Sequence, residues 1–347
     1  MAQQDPNLPD TLILEAFAGL KNTVSKHRLG PADLEKGVNI DLDDVGQPRR
    51  RRGYTLKLAG DFHSVQNVGG LILGVKDDLL GIINPDYTFD SLGEDVGSGK
   101  VAAVDIDDTI YWSNDRASGK VSISGRTSSP WGYQVSASEW LSPVITPTDY
   151  LQPVAGKLIG PPPLAEYMTY LNGRIYLAND KVIWATELYL YDYVDKTRNF
   201  IQFEKQITGI MATPRGMYVG TTDSIWFMSG PLGEMSRRRV VTSGMIPGSM
   251  LRVNGSYVKP ALEQRNTEED AVLFMTDDGL VAGFDQGVCY NMTQDRYEFP
   301  DAQTVAPLLR EQDGMVQYLM VNDSKGDPAN NARIGDYVDA EIVRAGG

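Results

Sequence analysis

The stretch "DDTIYWSNDRASGKVSISG", residues 107–125, contains the pattern that decides the fold. A turn of two aspartates opens it, an apolar and aromatic run follows, and a polar turn leads into a run with alternating Val and Ile. The run "VAAVDI", residues 101–106, directly precedes the first turn. The segment therefore predicts a meander of short strands joined by tight turns.

The same unit recurs on both sides of this stretch. Leading runs such as "AEYMTYL", "ITGIMAT" and "AVLFMT" precede three of the other turns. The copies are "VGGLILGVKDDLLGIINPDY" from Val68, "NGRIYLANDKVIWATELYLYDY" from Asn172, "PRGMYVGTTDSIWFMSGP" from Pro214, "DDGLVAGFDQGVCYNMTQDRY" from Asp277 and a degraded copy, "QDGMVQYLMVND", from Gln312. Repetition at this scale predicts an all-β fold built from similar units.

The residues that follow these turns set the period of the repeat. They are separated by steps of 39, 65, 42, 63 and 35 residues. Three of the steps are near the period of about 40–50 residues that is typical of a four-stranded propeller blade. The two long steps contain residues 127–163 and 252–270, which we expect to form loops or hairpins protruding from one rim.

A single meander cannot bury its apolar face, and stacking of blades around an axis supplies the missing partner. We therefore predict a β-propeller of five to six blades, with a β-sandwich of irregular strands as the alternative. The expected parts are an irregular N-terminal arm and assembly segment (1–52), the propeller (53–330, with inserted loops at about 127–163 and 252–270) and a C-terminal tail (331–347).

Two local predictions concern the N-terminal arm and its junction with the propeller. Residues Pro31–Lys36 offer at most one helical turn, since Pro comes early and Gly37 ends it. The alternating run "RGYTLKLAG", residues 52–60, predicts a strand. We expect that strand to complete the last blade together with the C-terminal unit.

The amino-acid composition and net charge exclude some classes of function. The chain has 32 Lys and Arg against 46 Asp and Glu, a net charge of -14. Such an acidic surface repels nucleic acid, which excludes a generic binder of phosphate backbones.

The single cysteine, Cys289, forms no intrachain disulfide or Cys-based zinc site, and we expect it to be a small buried apolar group. The sequence shows neither a signal-peptide pattern nor a membrane-length apolar run, which predicts folding in a cytoplasm.

Catalytic patterns are sparse. The two histidines, His27 and His63, lie in no triad pattern, and we interpret them as a loop residue and a strand residue. The acidic groups "DLDD" (41–44), "DIDD" (105–108) and "TDD" (276–278) match no calcium loop, and the last two fit hairpin turns better. The recurring aromatic residues are expected to pack between blades. We therefore expect a protein that is not an enzyme and has no cofactor or metal.

Two basic runs stand out, "RRRR" at 49–52 and "RRR" at 237–239. The simplest interpretation is a solvated strand edge. In so acidic a chain, however, an arginine run finds carboxylate partners on an identical neighbour, and Arg suits such interfaces. The predicted interface residues are Arg49, Arg50, Arg51, Arg52, Asp41, Asp43 and Asp44.

The segment "FAGLKNTVSKHRLGPADLEKGVNIDLDDVGQPRRRRGYTLKL", residues 17–58, resembles the opening of tail hub or nozzle proteins of short-tailed bacteriophages. That family opens with an F-x-G phrase, continues with an Asn-x-Asp phrase and a Gly, and then has arginines followed by Gly-Tyr. The matching residues are Phe17, Gly19, Asn39, Asp41, Gly46, Arg51, Arg52, Gly53 and Tyr54.

The resemblance implies a structural virion protein built on a β-propeller. Members assemble as rings, here expected to be hexamers, which line the DNA exit channel below the portal and adaptor. The implied partners are identical subunits, adaptor or portal-side tail proteins, and tail fibres or spikes, while DNA passes without specific binding. The implied location is the virion tail, assembled in the bacterial host cytoplasm. A propeller glycan hydrolase and a free-standing receptor-binding module are the alternatives.

Overall fold

The computed structural model describes residues 16–35, 37, 40–42, 46–50, 53, 55–132, 159–261, 270–293, 296, 302–312, 315–324 and 341–343. These residues form β-strands and short 3-10 turns, and no α-helix occurs among them. The 3-10 turns span Lys26–Arg28, Gly255–Ala261 and Asp285–Gly287. The prediction of an all-β fold is confirmed.

The described residues of the arm contain four short strands in two separate pairs. β1 (Gly19–Leu20) and β2 (Asp33–Leu34) run parallel, and β3 (Ile40–Leu42) and β4 (Pro48–Arg50) form an antiparallel hairpin. The predicted helical turn at residues 31–36 is wrong for the described positions, because Asp33 and Leu34 are extended and pair with β1. The Asp33 carboxylate instead accepts a hydrogen bond from the Gly30 amide and stabilises a turn.

In the part of the chain that the structure describes, five four-stranded antiparallel sheets follow the arm in sequence order, and a three-stranded sheet comes last. A separate two-stranded pair, β13 with β17, interrupts the third sheet. The first sheet contains β5 (Phe62–Val68), β6 (Leu71–Lys76), β7 (Leu79–Ile83) and β8 (Phe89–Asp95); the second contains β9 (Ala102–Ile106), β10 (Thr109–Ser113), β11 (Ser118–Ser122) and β12 (Ser128–Pro130).

The remaining strands complete the sheets in the same way. They are β13 (Ile159–Gly160), β14 (Tyr167–Leu171), β15 (Arg174–Asn179), β16 (Val182–Ala185), β17 (Val194–Asp195) and β18 (Phe200–Gln202); β19 (Ile207–Thr213), β20 (Gly216–Thr221), β21 (Ile225–Ser229) and β22 (Ser236–Val241); β23 (Leu251–Asn254), β24 (Asp270–Thr276), β25 (Gly279–Phe284) and β26 (Val288–Asn291); and β27 (Ala302–Gln312), β28 (Met315–Ser324) and β29 (Glu341–Val343).

Consecutive sheets share their apolar cores. Each of the five apolar clusters joins side chains from two sheets that are neighbours in sequence. At the first boundary Leu73 and Val75 lie in one cluster with Ile110 and Trp112, and all four are buried. Each boundary thus removes from water the apolar faces that one meander alone would expose, worth about 1.5–3 kcal/mol for each large side chain.

Tight turns with backbone in the left-handed region join the strands. Asp77 and Asp78, between β6 and β7, both have positive φ, which matches the two-residue hairpin that follows the strand twist. Asp107 has φ 53° in the turn between β9 and β10. The interpretation of the aspartate pairs at 107–108 and 277–278 as hairpin turns is confirmed, because each lies between two paired strands.

The fifth sheet explains one of the long steps in the repeat. β23 precedes "AVLFMT", so this run is the second strand of its sheet, and Leu280 lies in the third, β25. The predicted loop at 252–270 therefore contains most of β23, and the one at 127–163 contains β12 and β13. Residues 133–158 and 262–269 lie outside the described part of the chain.

The predicted strand at residues 52–60 is wrong. The described positions 53 and 55–60 form no strand, and Leu56 is 81% exposed. The alternating pattern is present, but β5 pairs with β6, and none of the described residues of this run is paired to a strand edge.

Replacing Tyr218 with Phe should test the boundary between the fourth and fifth sheets. The buried Tyr218 hydroxyl donates to the Phe284 carbonyl of the neighbouring sheet. Losing this bond while keeping the ring should lower the free energy of unfolding by about 1–2 kcal/mol in urea denaturation. Tyr189→Phe, at a side chain 68% exposed, is the control and should change it by less than about 0.5 kcal/mol. Equal effects would contradict the shared-core description.

Candidate assembly surface

One contact between the arm and the body is made by Arg296, which follows the fifth sheet. The Arg296 guanidinium donates to the Ala18 carbonyl at 2.9 Å and to Asp33 Oδ1 at 3.0 Å. The Arg296 carbonyl accepts the Asn22 amide at 3.0 Å. Lys21 Nζ lies 3.8 Å from the second Asp33 oxygen. Charge-assisted bonds of this kind are stronger than neutral ones, so Arg296 fixes the parallel β1–β2 pair in place.

A second contact joins the arm to the last sheet. Asp41, in β3, is buried, and its Oδ2 lies 3.6 Å from the Arg310 guanidinium of β27. A buried pair of this kind is costly to break, since removing one partner leaves the other charge in a poor solvent. Asp41 was predicted for a contact between subunits. The structure places it in an intrachain ion pair, and a further role in an interface stays a prediction.

The described part of the arginine run forms an exposed strand. Arg49 and Arg50 lie in β4, where Arg49 is the cross-strand partner of Asp41, and both side chains are exposed. Arg51, Arg52, Asp43 and Asp44, the other predicted interface residues, lie outside the described residues. The β3–β4 hairpin thus faces the body through Asp41 and presents cations to solvent through Arg49 and Arg50.

The second basic run has a structural role that the sequence did not reveal. In β22 the Arg237 guanidinium donates to the Gln202 carbonyl of the third sheet at 3.0 Å and lies 5.4 Å from the Phe203 ring centroid. Arg238 points the other way and donates to the Gln286 and Gly287 carbonyls beside the fifth sheet. Because successive strand residues face opposite sides, the run ties the fourth sheet to both of its neighbours.

The histidines lie in a strand and in an exposed turn, as the sequence predicted. His63 lies in β5, as predicted, with Nδ1 3.0 Å from Ser64 Oγ and Nε2 3.2 Å from the Gly97 carbonyl. His27 is exposed in the 3-10 turn of the arm. Within the described ranges, no group of three or more His, Cys, Asp and Glu side chains is arranged to hold a metal ion. No helix in the described chain has the length and apolar character to span a membrane.

A cavity of about 440 Å³ lies where the fourth, fifth and sixth sheets meet. Asp277 is its one acidic lining residue among those described; the others are Thr208, Thr222, Gly244, Met245, Ile246, Pro247 and Gln303. A glycan hydrolase needs two facing carboxylates in one pocket. The described lining of this cavity supplies one, so it lacks that arrangement.

The large aromatic residues mostly fill the sheet boundaries. Trp112, Tyr176, Tyr218 and Phe227 are buried, as the sequence predicted. Tyr218 is the centre of one boundary, with the Phe227 ring at 5.0 Å and the Phe274 ring at 5.7 Å. Burial raises the pKa of Tyr218, so its hydroxyl remains a donor.

Cys289 lies in β26, half-buried, beside the Tyr218 hydroxyl at 3.9 Å. Burial raises the pKa of its thiol to about 11. Because the folded state favours the protonated thiol, this contribution to stability is present below pH 9 and lost as the pH rises from about 9 to about 11.

The raised pKa predicts a slow thiol. Iodoacetamide should alkylate Cys289 slowly in the folded protein at neutral pH, because the thiolate is the reactive form. The rate should rise many-fold in denaturant at the same pH, as measured by intact mass. Fast alkylation of the folded protein at neutral pH would contradict this environment.

Comparisons with known proteins identify no family. No protein-family model and no curated protein matches the sequence. Several solved structures are similar to this chain at low scores. A chain in the S. cerevisiae complex of Dbp5 with Nup159, Gle1, IP6 and ADP is 8% identical, with 73% of this chain and 71% of that chain covered and a TM-score of 0.40.

Two further structures are similar at the same level. The extracellular domain of the putative one component system BT4673 from B. thetaiotaomicron is 13% identical, with 76% of this chain covered and a TM-score of 0.43; this chain spans 33% of that one. BBS1N in complex with ARL6DN is 13% identical, with 73% and 72% covered and a TM-score of 0.42. At these scores the similarities carry no argument about function.

Arg296→Gln should release the arm while leaving the sheets intact. The variant loses the charge-assisted bonds to Ala18 and Asp33, so trypsin should cleave in the arm several-fold faster, at Lys21, Lys26 or Arg28. Limited proteolysis with mass spectrometry measures this. Arg252→Gln, which removes an exposed ion pair with Asp270 in the fifth sheet, is the matched control and should leave arm cleavage unchanged.

Proposed function

We propose that the five four-stranded sheets and the last three-stranded sheet are the blades of a β-propeller. The support is the serial sharing of cores together with contacts between the inner strands of neighbouring sheets, β5 with β9, β9 with β14, and β14 with β19. Each sheet is a meander in sequence order, as blades are. Radial repetition of this kind gives every apolar face a partner and leaves only short edges.

We further propose that this propeller is a subunit of a ring in the tail of a short-tailed bacteriophage, at the hub or nozzle. The observation that carries the proposal is the arm. The segment that resembles the family is held on the body by Arg296 and Arg310, while the exposed Arg49 and Arg50 lie beside this attachment. An arm held in this way can present its cations in a fixed geometry to a neighbouring subunit.

Electrostatics favours identical subunits as the partners of these arginines. The chain has a net charge of -14, so an arginine strand on one subunit meets an acidic surface on the next. The same acidic surface around a channel would let DNA slide past without being held. Adaptor or portal-side proteins would bind one rim, and tail fibres or spikes would bind the inserted segments.

A charge-reversal experiment tests the ring. Arg49→Glu/Arg50→Glu should weaken ring formation and leave the monomer folded, because both side chains are exposed. Sedimentation velocity should show loss of the ring species, and circular dichroism should show an unchanged melting curve. Lys181→Glu/Lys205→Glu, at two exposed positions away from the arm, makes the same change in net charge and is the control.

Two results would contradict the proposal. One is a wild-type chain that remains monomeric with and without the adaptor proteins, which would favour a free-standing receptor-binding module. The other is a ring that survives the arginine reversal and is lost in the lysine control. Release of sugar from host glycans by the wild-type protein would instead favour the hydrolase.

A further inference from the structure

The cavity between the fourth, fifth and sixth sheets is lined by a polar residue whose side chain has no partner. Thr208 is 4% exposed, and its buried hydroxyl makes no hydrogen bond with any described residue. A buried hydroxyl without a partner is unfavourable. The hydroxyl can occupy more than one staggered position about χ1, so a ligand in the cavity can become its partner.

The cavity has a buried floor and a polar mouth. Its floor contains Gly244, Met245 and Ile246, all of which are buried. The exposed residues at its mouth all have polar side chains, and they are Thr222, Asp277 and Gln303. Its volume of about 440 Å³ is within the range of about 300–1,000 Å³ that is typical of ligand sites.

Asp277 gives the mouth of the cavity a negative charge. No Lys, Arg or His is among the described residues that line it. A Cβ atom at Gly244 would lie 3.3 Å from Asp277 Oδ2 and would overlap the Thr222 carbonyl, so the glycine keeps the space beside the carboxylate open. Asp277 also has a contact within the chain. The two oxygens of a carboxylate accept about four hydrogen bonds, so that contact leaves acceptors for a ligand.

These features fit the side chain of an arginine. A guanidinium is planar with five N–H donors, and two of them can bond both oxygens of one carboxylate, here Asp277. The aliphatic stem of an arginine packs well on apolar surface, which Met245 and Pro247 provide. The remaining donors match the Gln303 amide oxygen and the hydroxyl of Thr208.

The chain itself carries an arginine that is placed for such a contact. Arg50 is exposed and lies opposite Ile40 in the β3–β4 hairpin. Alternate strand residues face opposite sides, so Arg50 is on the other face of the hairpin from Asp41 and Arg49. Because Asp41 faces the body, where it meets Arg310, the Arg50 side chain points away from the body.

The hairpin and the cavity are different patches of one chain. The hairpin contacts β27 at Arg310, whereas Gln303, in the same strand, lines the cavity. The two positions are separated by roughly 23 Å at about 3.3 Å per residue. A contact from the hairpin of one copy to the cavity of the next is therefore heterologous, and heterologous contacts are the kind that generate rings.

We propose that the cavity binds the Arg50 side chain of a neighbouring copy of this chain, with the guanidinium on the Asp277 carboxylate. The inference rests on the proposed ring and names the surface that accepts the cation of the arm. It commits to a second copy because the chain supplies both the exposed cation and the cavity that complements it.

A charge exchange in the full chain tests the pair under the conditions in which the wild type forms rings. Arg50→Asp and Asp277→Arg should each raise the dissociation constant of the ring about tenfold or more in sedimentation velocity, because each brings like charges together. The double variant Arg50→Asp/Asp277→Arg regains an opposite pair at every contact and should return to within about threefold of the wild type. Asp278→Arg, in the same turn but outside the cavity lining, is the matched control and should not restore the ring of Arg50→Asp.

Thr208→Val separates binding from folding. The substitution keeps the shape of the side chain and removes a hydroxyl that has no partner in the chain, so the melting temperature should be unchanged or higher. The ring should nevertheless weaken about threefold or more, because the guanidinium loses an acceptor. A lower melting temperature with an unchanged ring would contradict this role for Thr208.

The outcomes distinguish this inference from the ring itself. A wild-type chain that forms no ring, with and without the adaptor proteins, overturns the proposed function and this inference together. A ring that Arg50→Asp weakens and the folded double variant does not restore overturns the cavity as the acceptor and leaves the ring in place. A ring that neither single variant weakens overturns it as well.

A free guanidinium compound is the other possible occupant. If arginine amide raises the melting temperature of the wild type, and Asp277→Arg abolishes that shift without weakening the ring, a small molecule binds the cavity and the neighbouring copy is overturned as the occupant. Should Asp277→Arg not fold, Asp277→Asn takes its place, and an unchanged ring in that variant overturns the inference.

Discussion

The two-sidedness of a β-sheet is the constraint on which this structure depends. A four-stranded meander places alternate side chains on opposite faces, and here both faces of the middle sheets are apolar. The second, third, fourth and fifth sheets each contribute to two of the shared clusters. No sheet could therefore be stable alone. Because the chain repeats one unit, each copy supplies the apolar face that completes the core of the copy before it.

The arginines stabilise the structure in a different way from the apolar residues. The aromatic and aliphatic residues pack at the apolar boundaries between sheets. The arginines make polar contacts between sheets, and between the arm and the body. Arg296 and Arg310 hold the arm, and Arg237 and Arg238 connect three sheets through backbone carbonyls.

The sequence predicted the all-β class and the hairpin turns because both follow from local rules, namely alternation and the backbone freedom of Asp and Gly. The sequence-based predictions were wrong or incomplete where the structure depends on contacts with residues that are distant in the sequence. The run at 52–60 alternates as a strand would, yet none of its described residues is paired to a strand edge. The bond from Arg296 to Ala18 spans 278 residues, so no local pattern could reveal it.

One further consequence follows from the arginines of β22. This strand is the last of its sheet, and a last strand offers unpaired amides and carbonyls to any passing chain. Its run of exposed cations would force like charges together if another copy added edge to edge. The residues that join neighbouring sheets within one molecule therefore also disfavour edge-to-edge aggregation.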